Sequence, residues 1–118
     1  MNLLSIPEKH RSHPAFKPVS FKNIGFPGKI VRSATEYFRS ENGHVAKEEY
    51  DALTALTGEP FGAVIVGHTC VSPEGRSNAG QNALWSDEFI PEHARLASII
   101  RSGGATAVLQ HGHGGMKA

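Results

Sequence analysis

Polar side chains capable of chemistry follow directly after short apolar runs in three places. Ser33-Ala34-Thr35-Glu36 follows Lys29-Ile-Val-Arg, Gly67-His68-Thr69 follows Ala63-Val-Ile-Val, and Gln110-His111-Gly112-His113 follows Ala105-Thr-Ala-Val-Leu. Gln110 carries a carboxamide, which offers a donor and an acceptor together; it reads either as a ligand-binding group or as a surface glutamine at a strand end. His111 and His113 form H-x-H, a spacing that can supply two metal ligands from one strand. With His68 they define a metal-dependent hydrolase as one reading, although Glu74 is the only acid near those strand ends. His68 alone reads equally well as a satisfied core histidine, and Cys70 as a small apolar loop residue. Gly112, Gly114 and Gly115 match no phosphate-loop spacing, and no helix follows them.

These groups need elements to hold them. The β-branched run Ala63–Gly67 suits a strand buried on both faces, as in a parallel sheet covered by helices. Lys29–Ser33 and Ala105–Gln110 read as its partners. Between them, Ala46, Tyr50, Leu53 and Leu56 mark one face of a helix over residues 46–57, stopped by Gly58 and Pro60. A long loop, 71–85, leads to a second helix capped by Ser86 or Asp87, with Pro91 in its first turn. Ile90, Ala94, Ala97 and Ile100 or Arg101 are expected on its inner side, and Gly103-Gly104 ends it. Before these elements, Val19, Phe21, Ile24 and Phe26 alternate around a turn at Lys22-Asn23, which reads as a hairpin. Residues 1–15 show no periodicity and read as an irregular arm.

The order is therefore hairpin, then β-α-β-α-β. In parallel sheets ligands bind at the carboxyl ends of the strands, where all three polar stretches fall. Such a set leaves an open edge, and a closed (β/α)₈ barrel needs about 250 residues. The chain has 118, so it reads as a small open sheet or as the first part of something larger. Twelve basic and eleven acidic residues give a net charge of +1 without blocks of like sign, so neither a nucleic-acid nor a membrane surface is expected. No apolar run is long enough for a membrane span, and no secretory leader is read at the start. One cysteine cannot form an internal disulfide, and a cytoplasmic location is the default expectation.

The strand ends also carry recognisable words. FKPVSFKNIGFPGKIVRSAT, VIVGHTCVSPEGRSNAGQNALWSDEFIP and AVLQHGHGG resemble, in order and spacing, the opening of the old yellow enzyme family of FMN-dependent NADH:flavin oxidoreductases. The resemblance covers roughly residues 16–117. It implies the hairpin, first three strands and two helices of a (β/α)₈ TIM barrel, with 16–118 as the N-terminal portion of that domain. It also implies FMN at the carboxyl face, NAD(P)H as reductant and a small electron-poor alkene as acceptor. Gln110 would pair with the flavin pyrimidine edge. Ser33, Ala34 and Thr35 would lie against the flavin near O4 and N5, and Gly67 and His68 would offer mainly backbone.

Two positions depart from the family pattern: Glu36, where an acid would face an anionic reduced ring unfavourably, and Met116, where the family usually has Arg. The family's substrate-anchoring His/His or His/Asn pair and its proton-donating Tyr come from later strands. The chain is thus expected to be inactive alone and to self-associate through its open edge. A non-catalytic truncated module is a further alternative.

Overall fold

The computed structural model describes residues 3–118; residues 1 and 2 of the expected arm lie outside the described residues. The rest of the arm holds 3₁₀ turns at Glu8–His10 and Pro14–Phe16. The hairpin forms as its alternation requires. β1 (Val19–Phe21) pairs antiparallel with β2 (Ile24–Phe26), Phe21 opposite Ile24, and Lys22 enters the turn at φ 52°.

A parallel sheet follows in the order β3-β4-β5, formed by β3 (Val31–Arg32), β4 (Ala63–Cys70) and β5 (Thr106–Gly112). The helices α1 (Lys47–Ala55) and α2 (Ile90–Ser102) make the crossovers. The hairpin closes the amino end of the sheet, where Thr106 Oγ1 donates to the Gly25 carbonyl at 3.0 Å. At that end a Cβ on Gly62 would fall 1.8 Å from the Gly28 carbonyl oxygen, so the two backbones meet where no side chain fits.

Both helices lie on one face of the sheet. Tyr50, Leu53, Leu96 and Ile100 bury themselves against Val64 and Val66, with Ala107 and Leu109 beside them. Among the described residues no helix covers the opposite face, and Val31 and Val108 remain partly exposed there. Among the described residues, no helix is long and apolar enough to cross a membrane.

Several expectations need correction. The first strand is shorter than 29–33: Lys29 N–H donates to Ala15 of the arm, and regular pairing with β4 is confined to Val31 and Arg32, although the Ile30 carbonyl still accepts from Gly62 just before β4. β4 and β5 each run past their expected ends. One extra residue in β4 is absorbed near Gly67–His68, after which the ladder resumes with Thr69 opposite His111 and Cys70 opposite Gly112. Cys70 therefore ends a strand and is not a loop residue. The inner face of α2 is also rotated from the expected one: Leu96 and Ile100 are buried while Ile90 is 52% exposed. Phe89, in the 3₁₀ turn Asp87–Phe89, takes the anchoring position with Cys70 and Ala83, so the helix begins with Ile90 turned outward. Neither Ser86 nor Asp87 caps α2 with its side chain; the Ser86 hydroxyl donates to Glu88 instead.

Leu96→Ala is expected to lower the unfolding free energy by about 2–5 kcal/mol. Ile90→Ala should change it by less than about 0.5 kcal/mol. Urea unfolding followed by Trp85 fluorescence checks the pair, and a larger loss at Ile90 would restore the face expected from the sequence.

Candidate functional site

The strand order places Ser33–Thr35, Gly67–His68 and Gln110 at the carboxyl ends of three adjacent strands. β4 and β5 approach closely there. Gly67 takes φ 137°, and a Cβ there would lie 2.6 Å from the Gln110 carbonyl oxygen and 3.1 Å from the Gln110 Cβ. Only glycine meets both the dihedral and the gap. The peptide bond from Gly67 to His68 is cis.

His68, Gln110, Ser77, His111, Gly112 and His113 line a cavity of about 260 Å³. Gln110 is exposed at its rim, and its amide has no hydrogen-bond partner among the described residues. A donor and an acceptor are thus both available for a planar heterocycle edge, which is the chemistry a flavin pyrimidine requires. Ser33, Ala34 and Thr35 do not line this cavity. They leave β3 beside it, where the Ser33 carbonyl accepts from Arg32 Nη1 and from the Thr35 hydroxyl, each at 3.4 Å.

Glu36, the next residue, reaches across to β4. Its Oε2 lies 3.6 Å from His68 Nε2, and its Oε1 accepts from Asn78 Nδ2 at 2.8 Å. The acid that departs from the family pattern is therefore engaged by His68 and Asn78. His68 is held from its other side by Gln81, whose Nε2 meets His68 Nδ1. The Ser77 N–H donates to Gln81 Oε1 at 2.7 Å. Gln81, Asn78 and Ser77 all come from the loop between β4 and α2. They were missed in the sequence because a loop carries no periodicity from which burial can be read.

The remaining hollows are less suited to chemistry. One of about 140 Å³ lies between α2 and β5 and is lined by Val66, Leu96, Ile100 and Leu109. Another, of about 680 Å³, adjoins the start of α1, where Arg39 and Lys47 alternate with Glu41 and Glu48. The strand-end cavity joins convergent polar groups to strand ends.

The histidines of the metal reading are not assembled as a ligand set. Among the described residues no group of three His, Cys, Asp or Glu could hold a metal ion. His68 Nδ1 is engaged by Gln81, and His113 Nδ1 accepts from Gly115 N–H at 3.0 Å. Cys70 is sealed: none of its surface is exposed, its thiol donates to the Asn82 carbonyl at 3.3 Å, and burial pushes the thiol's pKa up.

Under the site, Glu49 of α1 is buried and accepts from Asn82 Nδ2 at 2.7 Å. Burial pushes its carboxyl above the usual range and the nearby Glu36 charge adds to this, while the Asn82 hydrogen bond and Arg32 oppose it.

Comparison with known proteins identifies the family and the fold. The NADH:flavin oxidoreductase / NADH oxidase family matches residues 14–118. A curated relative, the probable NADH-dependent flavin oxidoreductase YqiG of Bacillus subtilis (strain 168), is 35% identical over 106 residues, which are 88% of this chain and 28% of the relative. Morphinone reductase in complex with tetrahydroNAD superposes with a TM-score of 0.78 at 16% identity, over 88% of this chain and 28% of that one. The old yellow enzyme from Trypanosoma cruzi gives 0.74 at 21% identity, over 89% and 28%. The chain thus spans just over a quarter of the length of these proteins, and its mixed α/β fold corresponds to part of their TIM barrel.

The Glu49 shift has a sign that can be tested. A raised pKa in the folded state means that this group's contribution to stability is present at low pH and is lost as pH rises through the folded-state value. Glu49→Gln keeps an acceptor for Asn82 without the charge. It is expected to match the wild type in acid and to exceed it at neutral pH, as read from urea midpoints across the pH range.

Proposed function

We propose a function from one fact: this chain belongs to the NADH:flavin oxidoreductase / NADH oxidase family. On that basis it is part of an FMN-binding oxidoreductase of the old yellow enzyme kind, with residues 16–118 as the N-terminal portion of the barrel and 1–15 as an arm. The observation that carries this reading is the uncommitted Gln110 amide, standing at a cavity rim on the carboxyl end of a parallel strand. When bound, FMN would supply hydride transfer from NAD(P)H to a small electron-poor acceptor such as an activated alkene.

The chain's own residues bind and orient. Gln110 pairs its amide with the pyrimidine edge. Ser33, Ala34 and Thr35 provide backbone and one hydroxyl beside it, and Gly67 and His68 bring backbone close without an intervening side chain. The Glu36 carboxylate, held by Asn78 and near His68 Nε2, is kept from standing free beside a ring that gains electrons. Met116, where the family usually has Arg, is fully exposed.

The chain spans just over a quarter of its relatives' length, and the family draws its proton donor and substrate anchors from strands outside that span. β5 has no strand on its outer side among the described residues and its Val108 is partly exposed, so the chain self-associates through that edge.

Titrating the isolated chain with FMN is expected to give no tight stoichiometric quenching of flavin fluorescence, and no NADH oxidation should accompany it. Tight binding with turnover would overturn the incomplete-site reading. In a longer protein containing this segment, Gln110→Leu is expected to weaken FMN binding about tenfold, the effect of one or two hydrogen bonds. An unchanged affinity would remove Gln110 from the site.

A further inference from the structure

Gln81 has no exposed surface, and its neighbours fix which end of its amide is which. The Ser77 backbone N–H donates to one end at 2.7 Å, so that end is the oxygen. The other end is an NH₂ group with two hydrogens and no acceptor capacity. It meets His68 Nδ1 and lies 3.5 Å from the His68 carbonyl oxygen. His68 Nδ1 is therefore the accepting nitrogen, and the single proton of the neutral imidazole sits on Nε2.

Nε2 faces Glu36 Oε2 at 3.6 Å, and Asn78 anchors that carboxylate through its other oxygen. Gly112 packs against the ring, since a Cβ there would stand 3.1 Å from Nδ1. The imidazole is thus held by side chains from two loops and by the backbone of the neighbouring strand. With Nδ1 occupied, Nε2 is the only ring nitrogen left to interact with anything else.

We propose that Gln81 is a positioning residue that, together with Glu36, holds His68 as the Nε2–H tautomer. At 3.6 Å the Glu36 carboxylate attracts Nε2–H without a hydrogen bond of ordinary length, so a ligand in the adjoining cavity that reaches Nε2 meets a donor and not a lone pair, which favours ligands bearing a carbonyl-type acceptor. This follows from hydrogen-bond direction and does not depend on the flavin assignment.

Long-range ¹H–¹⁵N correlation spectra of the full chain, recorded at neutral pH without flavin, test the proposal. His68 is assigned by the loss of its signals in His68→Asn. The expected pattern is an unprotonated Nδ1 and a protonated Nε2. A protonated Nδ1, or shifts averaged between tautomers, would overturn the proposal. Gln81→Glu provides the second arm. It preserves the acceptor for the Ser77 N–H but can only accept from the ring, so Nδ1 is expected to gain a proton. An unchanged Nε2–H tautomer in that variant would show that Gln81 does not set it. Because no flavin is present, failure here is separable from failure of flavin binding.

Discussion

β4 is hydrogen-bonded on both sides, to β3 and to β5, while its Val64 and Val66 face two helices at once. The strand cannot keep a regular ladder to its end, because it carries one residue more than β5 between Val66 and Thr69. A bulge turns a strand and re-aims the side chains beyond it. Here it falls at Gly67–His68, so the apolar half of β4 builds the core and the half beyond the irregularity brings His68 to the cavity. Gly67 makes this possible because its backbone can approach the Gln110 carbonyl with no side chain between.

The loop after β4 completes what the bulge begins. Cys70 N–H donates to the Asn82 carbonyl at 2.9 Å and Leu84 N–H to the Cys70 carbonyl at 2.8 Å, so the loop returns to extend the strand end as if it were a neighbour. That return buries Gln81 and Asn82, and buried amides are stable only when paired. Gln81 finds Ser77 and His68, and Asn82 finds Glu49. A single loop therefore links the packing of α1 to the orientation of an imidazole on β4. The same polar contacts that stabilise the loop also set the geometry of the cavity.

Much of this was legible in the sequence. The run Ala63–Val66 is β-branched enough to announce a buried strand, and the alternation around Lys22-Asn23 announces a hairpin. The polar residues after each strand fell where a parallel sheet puts its ligand site, and the motif words pointed to a family that the comparisons bear out. What could not be read was tertiary. The face of α2 turned on Phe89, which sits outside the helix and captured the anchoring position that Ile90 seemed suited for by periodicity alone. The extension of β4 depended on bonds to Asn82 and Leu84, distant in sequence. Glu36 could be flagged as out of pattern, but its partners His68 and Asn78 lie on elements whose proximity only the fold creates.

Cys70, the only cysteine in the chain, lies fully covered where β4, the returning loop and Phe89 meet. A thiol in that place reacts with an added reagent only when this corner comes apart. Its labelling rate is therefore a built-in clock for local opening at the carboxyl end of the sheet. Slow labelling would report that the loop carrying Gln81 opens only together with the core, and fast labelling that it breathes independently.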